Sequence, residues 1–268
     1  MCSERAMIEG RDLVYSAGGH PILHGISVRF DPGRLHLILG PNGAGKSTLV
    51  KILARLLKAQ GGVVRYGGQD VARASEASLA ERRAVLSQAV EIAFPLSVLE
   101  VVTMGRYPHF TGQPAARDRA VVAEVMRYCD VGDLAARSYP TLSGGEKQRV
   151  NFARVLAQVW QPRPAASEAG RYLFLDEPLT FLDVGHQIDL MRKLRDFGAA
   201  PDLVIVGVVH DLALAARFAD QLVLLHGGAV LAAGAPEAVM TAENVRTAFG
   251  VEPVTAVTAD GRPHLIFE

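Results

Sequence analysis

One octapeptide narrows the possible folds of this chain more than any other feature. Gly40-Pro41-Asn42-Gly43-Ala44-Gly45-Lys46-Ser47 follows the pattern glycine, four residues, glycine, lysine, serine or threonine, and Thr48 comes next. The run Leu35-His36-Leu37-Ile38-Leu39 before it reads as a buried strand. After it, Leu49, Ile52, Leu53, Leu56 and Leu57 recur at helical spacing. Strand, glycine turn and helix in succession make one βα unit, so an α/β sheet is expected. The glycines let several backbone N–H groups converge on phosphate oxygens, and the helix that follows adds its positive end. In such a cradle Lys46 supplies a point charge to β- and γ-phosphates, and the Ser47 hydroxyl can ligate Mg²⁺. Chance alone would produce the pattern in roughly one chain in a hundred of this size. The flanking strand and helix lower that further, and a nucleotide site is the better reading.

Two other stretches carry chemistry. Tyr172-Leu173-Phe174-Leu175 leads into Asp176-Glu177-Pro178, which sets two carboxylates at the end of an apolar strand. In a parallel sheet that end lies beside the phosphate loop. Asp176 suits Mg²⁺ or its waters, and Glu177 suits a general base for an attacking water. Taken alone, such a pair is common in solvated loops. The third stretch, Leu142-Ser143-Gly144-Gly145-Glu146-Lys147-Gln148-Arg149, spaces Ser143 and Glu146 as a capping box, with Val150, Ala153, Val155 and Leu156 continuing a helix. Two glycines at that helix start expose amides to a second phosphate. Either the chain binds two nucleotides, or each loop completes a site in a second copy.

The bulk of the chain fits one large domain. Its 268 residues suffice for a core with an inserted subdomain, and 49% hydrophobic with 21% charged residues is ordinary globular composition. Strand patterns flank a helical middle, from Ser97 to about Leu156. They return at Leu203–Val209 and in a hairpin over Leu222–Leu231 that turns at Gly227-Gly228, with a helical segment from His186 to Phe197. Residues 161–170, rich in Pro and Ala, read as a loop or insertion. Twenty-eight basic residues balance 28 acidic ones, without the basic footprint of a nucleic-acid binder. Cys2 and Cys129 form neither a metal pattern nor a disulfide framework. Residues 1–12 carry five charges and no apolar signal core, and Leu203–Val209 falls far short of the roughly 20 residues a span needs. A soluble, cytoplasmic chain is expected.

Together, Gly40–Ser47, Leu142–Arg149 and Leu173–Pro178 resemble the ATP-binding cassette (ABC) transporter family, over residues 7–250. The resemblance implies a P-loop NTPase cassette, with a RecA-like core and an inserted helical subdomain at about 89–157. Residues 251–268 would form a short hairpin. It also gives roles to residues that would be unremarkable alone. Tyr15 is placed like the aromatic that stacks on adenine, Gln88 like a glutamine that senses Mg²⁺ and the transporter, Asp183 like the aspartate loop, and His210 like a histidine that contacts the γ-phosphate and supports Glu177. The implied ligands are ATP and Mg²⁺. The implied assembly is a head-to-tail homodimer with ATP between the Lys46 loop of one copy and the Ser143 loop of the other. Such a dimer would sit on two transmembrane permease subunits at the cytoplasmic face of the inner membrane, served indirectly by a periplasmic substrate-binding protein.

Cargo is less sharply written. Met104-Gly105-Arg106-Tyr107-Pro108-His109 and Leu182-Asp183-Val184-Gly185-His186-Gln187 resemble the importers of iron-siderophores, haem and cobalamin. Leu156–Trp160, the insertion after it and Asp260–Pro263 look most like haemin-import ATP-binding subunits. Siderophore or cobalamin uptake is the alternative. A soluble cassette ATPase acting on ribosomes or nucleic acid is the competing class, opposed by the single cassette, the absence of a heptad run and the neutral charge. Where the family usually has P-T-S-A-L-D, this chain has Pro178-Leu179-Thr180-Phe181-Leu182-Asp183, so altered packing is expected at Phe181.

Overall fold

The computed structural model describes residues 6–87, 92, 94–160, 170–257 and 263–266, the last four and 255–257 by backbone alone. An antiparallel pair, β1 (Ile8–Ala17) and β2 (His20–Phe30), opens the chain, and β3 (Arg34–Leu39) runs into the glycine loop and α1 (Lys46–Leu53). β4 (Gly61–Tyr66) and β5 (Gln69–Asp70) extend the first sheet, ordered β2-β1-β4-β5. After α2 (Glu76–Ala80) and β6 (Arg83–Leu86) come the helices α3 (Val98–Met104), α4 (Ala116–Tyr128) and α5 (Gly144–Val159). Strand and helix then alternate through β7 (Arg171–Asp176), α6 (Val184–Gly198), β8 (Leu203–Val208) and α7 (Leu212–Phe218). The hairpin β9 (Gln221–His226) and β10 (Ala229–Gly234) follows, then α8 (Pro236–Val239), α9 (Ala242–Phe249) and a last pair, β11 (Val254–Val257) and β12 (Pro263–Ile266).

The second sheet, ordered β10-β9-β3-β8-β7-β6, is parallel except at β10. Its inner strands are apolar on both faces, because both faces are covered. Leu35, Leu37 and Leu39 of β3, with Leu173 and Leu175 of β7, join the core shared with α3–α7. Ile38, Tyr172 and Phe174 join the core under α1 and the antiparallel sheet. Each fully buried Leu, Val or Phe side chain contributes roughly 1.5–3 kcal/mol. The same period-2 alternation therefore glues a layer to each side and holds the carboxyl ends of β3, β7 and β8 at one edge.

The helical middle, the hairpin turning at Gly227-Gly228 and the closing pair of strands are observed. In the antiparallel sheet the alternating apolar residues Ile26–Phe30 mark the end of β2, but the other strands left little sequence trace. Strand β4 begins Gly61-Gly62, and a Cβ on Gly62 would lie 2.2 Å from the Arg11 carbonyl oxygen, where β1 carries a register shift. A glycine there marks close backbone approach at a bulge. The helix after the glycine loop is shorter than its apolar spacing predicts. It stops at Leu53, Arg55 turns left-handed at φ 55°, and Leu56 is left exposed. The expected insertion at 161–170 lies outside the described residues except Gly170.

Candidate active site

The loop between β3 and α1 is shaped by three glycines at positive φ, Gly40 (147°), Gly43 (80°) and Gly45 (93°). A Cβ on Gly40 would lie 2.3 Å from the Leu225 carbonyl oxygen, so the loop presses directly on β9. Gly45 is the N-cap of α1 and has no side chain to occupy the first-turn amides. Those amides, the helix's positive end and the concave loop are free to engage an anion. Lys46 is buried, and its Nζ donates to the carbonyls of Gly40 (2.7 Å) and Pro41 (2.9 Å). Burial lowers its pKa from the usual lysine range, and the carboxylates of Glu177 and Asp176 oppose that fall.

Three strand ends bring the other groups in. Ser47 Oγ donates to Asp176 Oδ1 at 2.8 Å, and Asp176 is 4% exposed at the end of β7. One residue on, Glu177 takes φ 55° while its N–H donates to the Val208 carbonyl at the end of β8. A left-handed glutamate is uncommon, and such strain gathers at functional sites. The turn aims Glu177 Oε1 at His210 Nε2, 2.6 Å away. The phosphate loop, the acidic pair and His210 thus lie together where the parallel strands deliver them.

Ser47 and Asp176 offer one hydroxyl and one carboxylate, side by side. That donor set fits Mg²⁺, which keeps waters and phosphate oxygens for its remaining positions. Among the described residues no cluster of three or more His, Cys, Asp or Glu side chains could hold a metal alone.

Other expected residues lie elsewhere. Gln88 is outside the described residues. Tyr15, half-buried on β1, stands opposite Leu23, whose Cδ2 would be 2.6 Å from a Cβ on Gly45, so it lies one strand away from the loop. Ser143 caps α5 in a reciprocal box with Glu146, which also accepts from Arg137 Nη1 at 2.8 Å. No hydrogen bond or ion pair among the described residues joins Ser143–Glu146 to residues 40–48 of the same chain. Asp183 caps α6, accepting from the His186 N–H (2.9 Å) and pairing with His186 Nδ1 (2.8 Å).

For two contacts the sequence named no partner, although altered packing was expected at Phe181. Gln148 on α5 donates to the Pro178 carbonyl at 2.8 Å, tying this helix to the acidic pair. Phe181, at φ 66° and 73% exposed, lies against Gly144, where a Cβ would be 3.3 Å from its own. The Met104–His109 segment has structural work. Arg106 is buried, pairs with Asp118 (3.1 Å) and donates to the Ala157 carbonyl, while a His109 ring nitrogen meets the Gln158 carbonyl. It pins a turn to α4 and α5.

The fold and this cluster define a P-loop nucleoside triphosphatase of the ATP-binding cassette type. Residues 23–180 match the ABC transporter family. The chain is 42% identical, over 92% of its length and 93% of the relative's, to the hemin import ATP-binding protein HmuV of Escherichia coli O157:H7. It is 43% identical to the protein of the same name from Gloeobacter violaceus, over 92% and 88%. An inward-facing metal-chelate type ABC transporter superposes with a TM-score of 0.80, covering 98% of each chain at 22% identity, a likeness of fold alone. The chain therefore belongs to the ABC transporter family, as an ATP-hydrolysing subunit. No helix among the described residues is long and apolar enough to cross a membrane.

Proposed function

We propose that this chain powers the uptake of haem, as a homodimer bound to two transmembrane permease subunits at the cytoplasmic face of the inner membrane. In this reading a periplasmic binding protein delivers the cargo. The observation that carries the hydrolytic part is the 2.6 Å contact between Glu177 and His210 beside Lys46 and the Ser47–Asp176 pair. The cargo rests on the likeness to hemin import proteins over nine-tenths of the chain.

In this reading Lys46 leaves the loop carbonyls for the β- and γ-phosphates, an exchange of one set of acceptors for a charged one. Ser47 and Asp176 would hold Mg²⁺, which when bound supplies positive charge to the phosphate oxygens. Glu177 accepts a proton from the attacking water, and His210 fixes the carboxylate's direction. Asp183 keeps the aspartate loop at the start of α6, Tyr15 supplies a flat face for adenine, and Gln88 reports to the permease. Among the described residues Ser143 makes no hydrogen bond to the loop of its own chain, and in this reading the Ser143-Gly144-Gly145 amides complete the site of a second copy.

The test is ATP hydrolysis by the chain reconstituted with its co-purified membrane partners, with haem, a ferric siderophore or cobalamin supplied through the cognate binding protein. Haem should stimulate turnover most. Stimulation by siderophore or cobalamin in its place would reassign the cargo and leave the ATPase intact. Stimulation only by nucleic acid or ribosomes would overturn the transporter reading.

A further inference from the structure

Away from the nucleotide loop, a cleft of about 540 Å³ opens between the β4–β5 turn and the approach to β6. Arg65, Tyr66, Gln69, Asp70, Arg73 and Arg82 are among its lining residues. Its position is set by the sheet. The Arg82 carbonyl accepts from the Tyr172 N–H at 2.8 Å, at the amino end of β7. Asp176 is four residues further along the same strand, so the cleft lies roughly 13 Å from the acidic pair, at the opposite end of the sheet.

The cleft's charges do not cancel. Asp70 Oδ1 accepts from the Ala72 N–H at 2.9 Å. Glu9 sits 3.8 Å from Arg65 but only 2.8 Å from Arg11. Arg73 and Arg82 make no side-chain hydrogen bond or ion pair with any described residue, and the Nε of Arg82 is buried without an acceptor. Its neighbour Arg83 also has a buried free Nε, but satisfies another nitrogen on the Ala54 carbonyl at 2.6 Å. The Arg82 Nε is closed to solvent, so an anion in the cleft would be met by the terminal nitrogens of this half-buried side chain. The tyrosines beneath provide no anion. Tyr66 donates its hydroxyl to the Leu53 carbonyl, and burial pushes the Tyr172 phenol up to about 12, against the pull of Arg82.

We infer that this cleft binds a phosphate oxyanion, held between the guanidinium groups of Arg73 and Arg82. Planar guanidinium forks match tetrahedral oxyanions, each with two parallel N–H donors. Free phosphate or a phosphate ester would supply the group from solution, and an anionic phospholipid would supply it from a bilayer. The site is independent of the hydrolytic reading, since it shares no residue with the nucleotide loop.

The whole chain, with its nucleotide loop saturated by Mg²⁺ and a non-hydrolysable ATP analogue, is titrated at low ionic strength. One arm uses inorganic phosphate by calorimetry. The other uses phosphatidylglycerol vesicles against phosphatidylcholine vesicles by co-sedimentation. Binding in the first arm, weakened at least tenfold in Arg73→Ala/Arg82→Ala and unchanged in the remote Arg127→Ala, supports a soluble ligand. The same pattern confined to phosphatidylglycerol supports a headgroup. Arg73→Ala alone, at an exposed position, keeps the test valid if the double variant misfolds, and should also weaken binding. No binding in either arm, or equal binding by the arginine variants, overturns the site.

Discussion

Glu177 shows what one residue's backbone can settle. Its left-handed φ costs energy that a glutamate elsewhere would avoid, and the return is a carboxylate aimed at His210. Glu177→Gln keeps the shape but loses the base, so turnover should fall about 10²–10⁴-fold with nucleotide binding retained. Phosphate release and nucleotide affinity, measured on one preparation, check this, and undiminished release would remove Glu177 from water activation. Gly40 makes the opposite case, a position where nothing larger fits. Gly40→Ala would push a methyl into the Leu225 carbonyl at positive φ. It should cost more than about 1 kcal/mol in chemical denaturation and weaken nucleotide binding. Lys46, Ser47, Asp176 and Glu177 were legible because their neighbours in sequence constrain them. Phe181 stood out as a departure from the family pattern, but its partner Gly144 did not, since that contact depends on two segments some 37 residues apart meeting in space.

Among the elements, β7 and β8 are aligned by one guanidinium. Arg171 makes two 2.7 Å bonds to the Asp202 carboxylate and a third, at 2.8 Å, to the Val159 carbonyl at the end of α5. Burial alone would raise the Asp202 pKa, but the hydrogen bonds and charge of Arg171 outweigh it and hold the carboxyl below its usual range. A depressed carboxylate stabilises fully above its unfolded value, near 3.9, and that stability drains away as pH falls through the folded value. Asp202→Asn should therefore cost about 1–3 kcal/mol at pH 7, with the gap to the unaltered chain closing in denaturation curves taken below about pH 4. A gap that stayed constant down to pH 2 would contradict the pairing. Of this tie the sequence showed only two charges at strand ends. The helix of the glycine motif was legible, but not its early stop, because Arg55 leaves the helix to reach the Ala74 carbonyl from another element.

For the molecule as a whole, the decisive point is that Ser143 and Lys46 belong to different regions of one chain. If each site needs both loops from different copies, Lys46→Ala and Ser143→Arg should each abolish hydrolysis alone. Mixing them should restore up to about a quarter of full activity, since half the random dimers are mixed and each holds one intact site. Mixtures as inactive as the parents, while still dimerising with ATP, would exclude the shared arrangement. By itself the sequence determined the phosphate cradle, the acidic pair, the cap of α5 and the alternation of strand and helix. Each of these is a local pattern, fixed by the φ freedom of glycine, hydrogen bonding within a turn, or the period of an apolar face. The resemblance had given Glu177 and His210 joint work, but only the tertiary structure set their 2.6 Å contact, the meeting of Asp176 with Ser47, the antiparallel sheet over α1, and the lack of side-chain partners for Arg73 and Arg82 among the described residues. Those outcomes depend on which strand ends share an edge and which charges find a counterpart across the sheets, and such distances exist only once the chain has packed.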